Sequence, residues 1–189
     1  AHRLFIEPQL RYSRSAEDIF LDGERISRYN LTDAGGVLDL GVNMGRFAQV
    51  RAGYVYSNRK VDVDIGPTQF PETDTVDAGM RLSLDFDSRD TAFRPTRGMA
   101  AALEFLSSDE SLGAERSWQR AELGVGMALP LRRDVFWVTL AGGSDLGSKL
   151  PADRAFAIGG PSSFPGLELG ELRSNSYWTV GTNYLWRVK

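Results

Sequence analysis

The chain has 189 residues with 42% hydrophobic composition, and its 22 Lys and Arg stand against 25 Asp and Glu, a balance that argues against a nucleic-acid footprint. It contains no cysteine and a single histidine, His2, which excludes a disulfide framework and a thiolate metal site and leaves almost no histidine chemistry. No apolar run reaches the roughly 18 residues of a transmembrane helix, and the opening "AHRLFIEPQL" lacks the cationic, apolar and cleavage regions of a secretory signal.

Nearly every segment between turn signals alternates apolar and polar residues with period two, which predicts an all-β chain of about ten strands and no helix. The predicted strands lie near 3–12, 17–28, 34–44, 46–57, 59–65, 75–87, 97–107, 116–129, 134–144 and 176–187. Leu38, Leu40, Val42 and Met44 oppose Asp39, Gly41 and Asn43, and "SNRK" at 57–60 reads as a tight polar turn. In "MRLSLDF" Met80, Leu82, Leu84 and Phe86 share one face, with Arg81, Ser83 and Asp85 on the other. Met99, Ala101, Leu103 and Phe105 alternate with Ala100, Ala102 and Glu104. Leu123, Val125, Met127 and Leu129 then alternate with Glu122, Gly124, Gly126 and Ala128 before a second tight turn, "PLRRD" at 130–134. The last strand sets Trp178, Val180, Tyr184 and Trp186 opposite Tyr177, Thr179, Gly181 and Asn183. Strands joined by tight turns pair antiparallel as a meander.

A soluble sandwich or ligand-binding barrel would point the apolar rows inward, whereas a membrane barrel points them at lipid around a polar lumen. The polar rows separate the two. They carry glycine and paired opposite charges, including Gly41, Gly53, Gly124, Gly126, Arg51, Arg81, Asp85, Arg120 and Glu122, which suits a crowded lumen better than a face in water. Strands of about ten residues and the spacing of Trp178 and Trp186 on the apolar face agree with a transmembrane barrel.

Two motifs then resemble a known family. "LDFDSRDTAFRPTRG", Leu84 to Gly98, resembles the strand-turn-strand signature D-x-R-D followed by P-x-x-G of the BamA/TpsB superfamily of outer-membrane barrels, the bacterial surface antigen family; its residues here are Asp85, Asp87, Arg89, Asp90, Pro95 and Gly98. "FAIGGPSSFPGL" resembles that family's long sixth extracellular loop, with Phe156, Ile158, Gly159, Gly160, Phe164, Pro165, Gly166 and Leu167 as the matching residues. The resemblance implies that residues 1–189 are one partial domain of a 16-stranded barrel in the bacterial outer membrane, with outer-membrane lipid as a partner. It also implies that the loop at 145–175 folds into the lumen. Taking 134–144 as the family's eleventh strand makes the first predicted strand its third. Strands beyond both ends of this chain are expected.

Where the family has an arginine in the loop tip this chain has Pro165, which removes the usual ion pair between tip and wall. The longer pattern Phe156, Ile158, Gly159, Gly160, Gly166, Gly170, Leu172 and Tyr184 is more similar to the carboxy-terminal barrel of patatin-like phospholipases and autotransporters. That resemblance implies a translocator or anchor preceded in the same chain by a POTRA domain and a lipid acyl hydrolase passenger. Two alternatives stay open: an assembly or two-partner secretion pore, and a soluble β domain binding a small ligand. With Pro165 in place of arginine, packing and backbone hydrogen bonds are expected to hold the tip. The flanking Glu168, Glu171 and Arg173 are expected to pair with Arg81, Asp85, Arg120 and Glu122.

No catalytic set is expected in this segment, because no G-x-S-x-G elbow is present and one terminal histidine cannot complete a triad. Asp85, Asp87 and Asp90 are close enough for paired-carboxylate chemistry, but Arg89 beside them favours a structural ion-pair cluster. "VDVDIG" places Asp62 and Asp64 on one strand face without the glycine and distal glutamate of a calcium loop, and reads as lumen charge. No cofactor, metal or nucleic acid is expected.

Overall fold

The computed structural model describes residues 3–21, 24–66, 72–160, 166–168 and 170–186. Eight strands form one antiparallel sheet in the order β1 (Arg3–Leu21), β2 (Glu24–Met44), β3 (Ala48–Ile65), β4 (Thr73–Asp87), β5 (Gly98–Ser108), β6 (Trp118–Leu131), β7 (Asp134–Ser144) and β10 (Ser176–Leu185). Two three-residue strands, β8 (Phe156–Ile158) and β9 (Leu172–Ser174), make a separate hairpin between β7 and β10. The meander is therefore as expected, with β1 and β10 as the edges of the main sheet.

The strand boundaries are corrected where polar residues had been read as turns. "SNRK" lies inside β3, where Asn58 pairs Ala34 on one side and Val76 on the other. Residues 29–33, expected as a connection, lie inside β2, and β1 runs on to Leu21. With β7 still taken as the eleventh strand, β1 becomes the fifth rather than the third. The reason is strand length. β1, β2 and β3 have 19, 21 and 18 residues, about twice what a tilted strand needs to cross a bilayer.

The register assigns the faces. Glu7, Asp39, Gly53 and Arg81 lie in one cross-strand row, as do Asp85, Ala102, Gly124, Ala141 and Thr179 in another, so these residues share the face on which the β7–β10 loop rests, called here the inner face. The outer face carries Leu4, Ile6, Leu38, Leu40, Met80, Leu82, Leu123 and Leu140, all exposed, with Leu10 at 97% and Trp178 at 76%. A contiguous apolar band of this kind is stable only against lipid, which answers the soluble alternative.

Polarity changes sides along β1 to β3. Beyond Tyr12, Tyr54 and Tyr56 the outer face turns polar with Arg14, Arg28, Asn30, Lys60 and Asp62, and Arg28 and Lys60 pair there with Asp18 and Asp62. The inner face turns apolar at the same level, where Tyr29, Leu31 and Val61 are buried against Ile19 and Val63. Tyrosines at that boundary are the interfacial girdle of a membrane barrel, and the polar stretch read as a turn is where β3 leaves lipid. Asp62, read from the sequence as lumen charge, lies on the outer face for the same reason.

The connections at one end are residues 45–47, 88–97 and 132–133, two of them of three residues or fewer. At the other end lie 109–117 and the long connection of 145–175. Short turns mark the periplasmic end of such barrels.

Candidate functional site

Two tiers of charged side chains cross the inner face. In the first, Arg51 of β3 bonds Asp85 of β4 at 2.5 Å and Glu7 of β1 at 3.4 Å. Arg81 of β4 bonds Glu104 of β5 at 2.7 Å and Asp39 of β2 at 2.8 Å. Asp39 is fully buried and reaches Arg81 across β3 only because Gly53 lies between them; a Cβ at residue 53 would overlap Asp39 Oδ1. On β6, Arg120 bonds Glu122 at 2.6 Å, and the Tyr177 hydroxyl donates to Glu122 at 3.4 Å. Each guanidinium faces a carboxylate in the charge-assisted geometry that a crowded interior requires.

The second tier is centred on Asp77 of β4, 4% exposed. Its Oδ1 accepts from Trp118 Nε1 at 2.8 Å and lies 3.4 Å from Arg116 Nε. Its Oδ2 accepts from Arg154 Nε at 2.9 Å and also from Arg154 Nη2. Arg154 belongs to the long β7–β10 loop, in a single 3-10 turn at Ala152–Arg154, and it also lies 3.6 Å from Asp33 of β2. Its neighbour Asp153 accepts from Arg116 Nη1 at 2.9 Å and Nη2 at 2.7 Å, while the Asp153 carbonyl accepts from Arg59 at 2.7 Å. Arg59 in turn bonds Asp33 at 2.9 Å. The loop residues Asp153 and Arg154 thus join an alternating array of acids and arginines contributed by β2, β3, β4 and the β5–β6 connection.

Aromatic packing continues the contact. Phe156 is buried with Trp118 and Leu150, its ring 5.1 Å from that of Tyr177 and beneath the Arg120 guanidinium at 4.4 Å. Arg154 lies over the Trp118 ring at 5.4 Å. Trp118 therefore fills the inner face and donates to Asp77, rather than offering an open stacking surface.

Of the loop residues singled out in the sequence, Phe156 and Ile158 form β8, paired with Ser174 and Leu172. Gly159 and Gly160 follow at positive φ, 136° and 84°. A Cβ on Gly159 would overlap the Glu168 carbonyl, and Gly160 N–H donates to the Leu167 carbonyl at 3.0 Å, so the glycine pair is what lets the two arms of the loop close on each other. Gly166 is also left-handed, at φ 105°. Phe164 and Pro165 lie outside the described residues. The expected partners of the flanking charges are corrected: the Glu171 carboxylate accepts from Glu168 N–H at 2.7 Å and Arg173 pairs with Glu17 of β1, because Arg81, Asp85, Arg120 and Glu122 already satisfy one another or other wall residues. Among the described residues Asp153 and Arg154, in the stem of the loop, join Arg173 in supplying its ion pairs to the rest of the barrel. The signals for the Arg154 pair in the sequence were an aspartate in the apolar run "TVDAGM" and an Asp-Arg pair just before Phe156.

The strand-turn motif divides in two. Asp85 belongs to the inner wall, while Asp87, Arg89, Asp90, Pro95 and Gly98 build the 88–97 turn. Asp87 and Arg89 form a bidentate pair at 3.0 and 2.7 Å, Pro95 is fully buried, and Gly98 sits at φ 100°, where a Cβ would be 2.5 Å from the Ser88 carbonyl. Asp90 accepts from Thr96 Oγ1 at 2.5 Å, Thr96 N–H at 2.9 Å and Thr91 N–H at 3.0 Å. These donors, the Thr96 hydroxyl foremost, hold its pKa down at about 2. Every carboxylate oxygen here is occupied by a donor of its own turn, so the cluster is a brace and not a hydrolytic pair. Because the folded pKa lies below the unfolded carboxylate value, the brace contributes fully above about pH 4 and is lost as pH falls through about 2. Trypsin cleavage after Arg97 is expected to be slow in the native protein and faster in Asp90→Asn at neutral pH. Equal cleavage in both would show that Asp90 does not order the turn.

Among the described residues no group of His, Cys, Asp or Glu is placed to hold a metal ion. At the short-turn end the inner face opens into a cavity of about 680 Å³ lined by Asn43, Asp85, Ala102, Gly124, Trp137 and Thr139, and a Cβ at Gly124 or Gly126 would meet nothing within 4 Å. The inner wall is thus bridged by charges in its middle, capped by the Arg154 loop towards the long-loop end, and smooth towards the periplasmic end.

A comparison with curated proteins found no significant match. Among solved structures the chain is similar to BamA from Haemophilus ducreyi lacking POTRA domains 1–3, with a TM-score of 0.75 and 14% identity over 96% of this chain and 41% of that one. This chain therefore spans well under half the length of that relative. The model of the Omp85 superfamily domain matches residues 5–189. With its lipid-facing rows, charged inner wall and inward-bonded loop, the chain belongs to the Omp85 superfamily of bacterial outer-membrane β-barrels.

Proposed function

We propose that this segment is the wall and loop of an outer-membrane translocator or anchor whose passenger precedes it in the same polypeptide, joined through a POTRA domain. The passenger class we favour is a patatin-like lipid acyl hydrolase, on the glycine and aromatic pattern from Phe156 to Tyr184. The observation that carries the translocator reading is the bonding of Asp153 and Arg154 to Asp77, Asp33, Arg59 and Arg116. A loop fastened across the inner wall keeps the lumen occupied at rest, and fastening by ion pairs leaves it releasable when a chain enters from the smooth periplasmic half. The second reading, an outer-membrane assembly pore, is favoured by the likeness to BamA.

Depletion of the parent protein separates the two. Unrelated outer-membrane barrels are expected to stay at normal levels; a general fall in them would replace the translocator with an assembly factor. The segment by itself is expected to hydrolyse no short-chain acyl ester, since its sequence has no G-x-S-x-G elbow and only a single histidine to activate a serine. Turnover abolished by Ser144→Ala would overturn that expectation.

The occluding role of the loop has its own test, helped by a chain without cysteine. In intact cells a membrane-impermeant maleimide is expected to label Ser111→Cys, exposed in the 109–117 connection, much faster than Ala155→Cys, which follows Arg154. Equal rates would mean that the loop leaves the lumen open.

A further inference from the structure

The three connections at the short-turn end carry a charge pattern that neither the inner wall nor the loop uses. Residues 45–47, 88–97 and 132–133 contain Arg46, Arg89, Arg94, Arg97, Arg132 and Arg133 against the single acid Asp90, whereas each connection at the opposite end has more acids than bases. Arg89 is consumed by Asp87 and Arg46 lies over the Phe47 ring at 4.4 Å. The side chains of Arg94, Arg97, Arg132 and Arg133 have no partner among the described residues.

These arginines stand at a defined depth. Arg46 follows the outer-face Met44 by two positions, Arg132 follows the outer-face Leu131 by one, and Arg97 precedes the outer-face Met99 by two. At a rise of about 3.3 Å per residue, each guanidinium starts within about 7 Å of the last lipid-facing side chain, which is headgroup depth. The hairpins are neighbours in the sheet, so their turns are spaced about 10 Å apart and form an arc of about 20 Å along the bilayer surface. Aromatic side chains accompany the charges. Phe47 packs on the outer-face Phe86 with ring centroids 6.4 Å apart, and Phe93 between Ala92 and Arg94 is 96% exposed. Arginine beside an interfacial aromatic, continuous with an apolar band, is the arrangement that meets phosphate headgroups.

We propose that the arginine arc at the short-turn end is a binding surface for anionic phospholipids of the periplasmic leaflet. The phosphodiester takes the free guanidinium groups of Arg94, Arg97, Arg132 and Arg133, and the acyl chains continue onto the outer-face rows ending at Met44, Phe86, Met99 and Leu131. Planar guanidinium forks suit a phosphodiester better than lysine ammonium groups would, and no lysine occurs in these turns. An acidic face of a preceding periplasmic domain is the competing occupant. The continuity with the lipid-facing band and the exposed Phe93 favour lipid.

The test uses the full-length parent in detergent micelles, titrated with phosphatidylglycerol or phosphatidylethanolamine and read by native mass spectrometry. The parent is expected to retain phosphatidylglycerol preferentially, and the exposed quadruple variant Arg94→Gln, Arg97→Gln, Arg132→Gln, Arg133→Gln to lose that preference by about tenfold. Arg14→Gln with Arg25→Gln, at the opposite end, is expected to keep it, and unchanged urea midpoints verify that all variants are folded. No preference in the parent, or one that survives the quadruple variant, overturns the proposal. So does loss of binding to the separately expressed periplasmic segment with lipid preference intact, which would assign the arc to protein.

Discussion

Asp77→Ala is expected to destabilise the segment by about 3–5 kcal/mol, the cost of removing one partner from a buried, hydrogen-bonded charge pair. The side chain is 6% exposed and serves two arginines and an indole N–H at once. Its removal strands Arg154, 13% exposed, beside Arg59 and Arg116, with Asp33 and Asp153 left to compensate. Burial and the nearby Arg59 already push the pKa of Arg154 down, so the loop guanidinium depends on the acids around it. Asp77→Asn, which preserves shape and a carbonyl acceptor for Trp118, is expected to cost less than alanine. The measurement is the urea midpoint of the full-length protein in detergent micelles. The maleimide rate at Ala155→Cys is expected to rise in the Asp77→Ala background, because the same bonds hold the loop. A loss below about 1 kcal/mol with an unchanged labelling rate would place this array in the class of solvated surface pairs and remove the latch.

Gly53→Val is expected to be nearly as damaging, through a different cause. No special backbone angle is at issue; the new Cβ would overlap Asp39 Oδ1 and the Leu38 carbonyl, forcing the fully buried Asp39 away from Arg81. A buried carboxylate without its guanidinium costs about 3–5 kcal/mol. Gly126→Val, the same substitution on the same inner face, is the control, since a Cβ there meets nothing within 4 Å, and its effect is expected to stay within about 0.5 kcal/mol. Equal urea midpoints for the two variants would show that Gly53 does not provide the passage from β2 to β4.

The two substitutions also mark what could be read from the chain. The assignment of Arg51, Arg81, Asp85, Arg120 and Glu122 to the inner face, and of Leu38, Leu82 and Trp178 to lipid, followed from period-two alternation, since a strand alternates faces whatever its neighbours are. The D-x-R-D and Gly-Gly motifs were legible because a tight turn and a close backbone approach dictate residue type locally. Strand length was not legible. Asn58 and Lys60 look like a turn until β2 and β4 are seen to continue on both sides of them, and polar residues on the outer face mean an exit from lipid only when the level of the membrane is known. The ion pairs of the loop were sought at Glu168, Glu171 and Arg173, after its tip, and the buried one lies in the stem before it, because Arg154 and Asp77 are 77 positions apart and nothing local couples them.

The amino-acid order by itself therefore determined the β class, the two faces and the turn brace, all of which are set by residue type and short-range spacing. Only the tertiary structure decided where the strands leave the bilayer, which arginine fastens the loop and which glycine lets a charge cross the sheet. Those properties depend on cross-strand register and on contacts between residues far apart in the chain, and such contacts exist only once the sheet has formed.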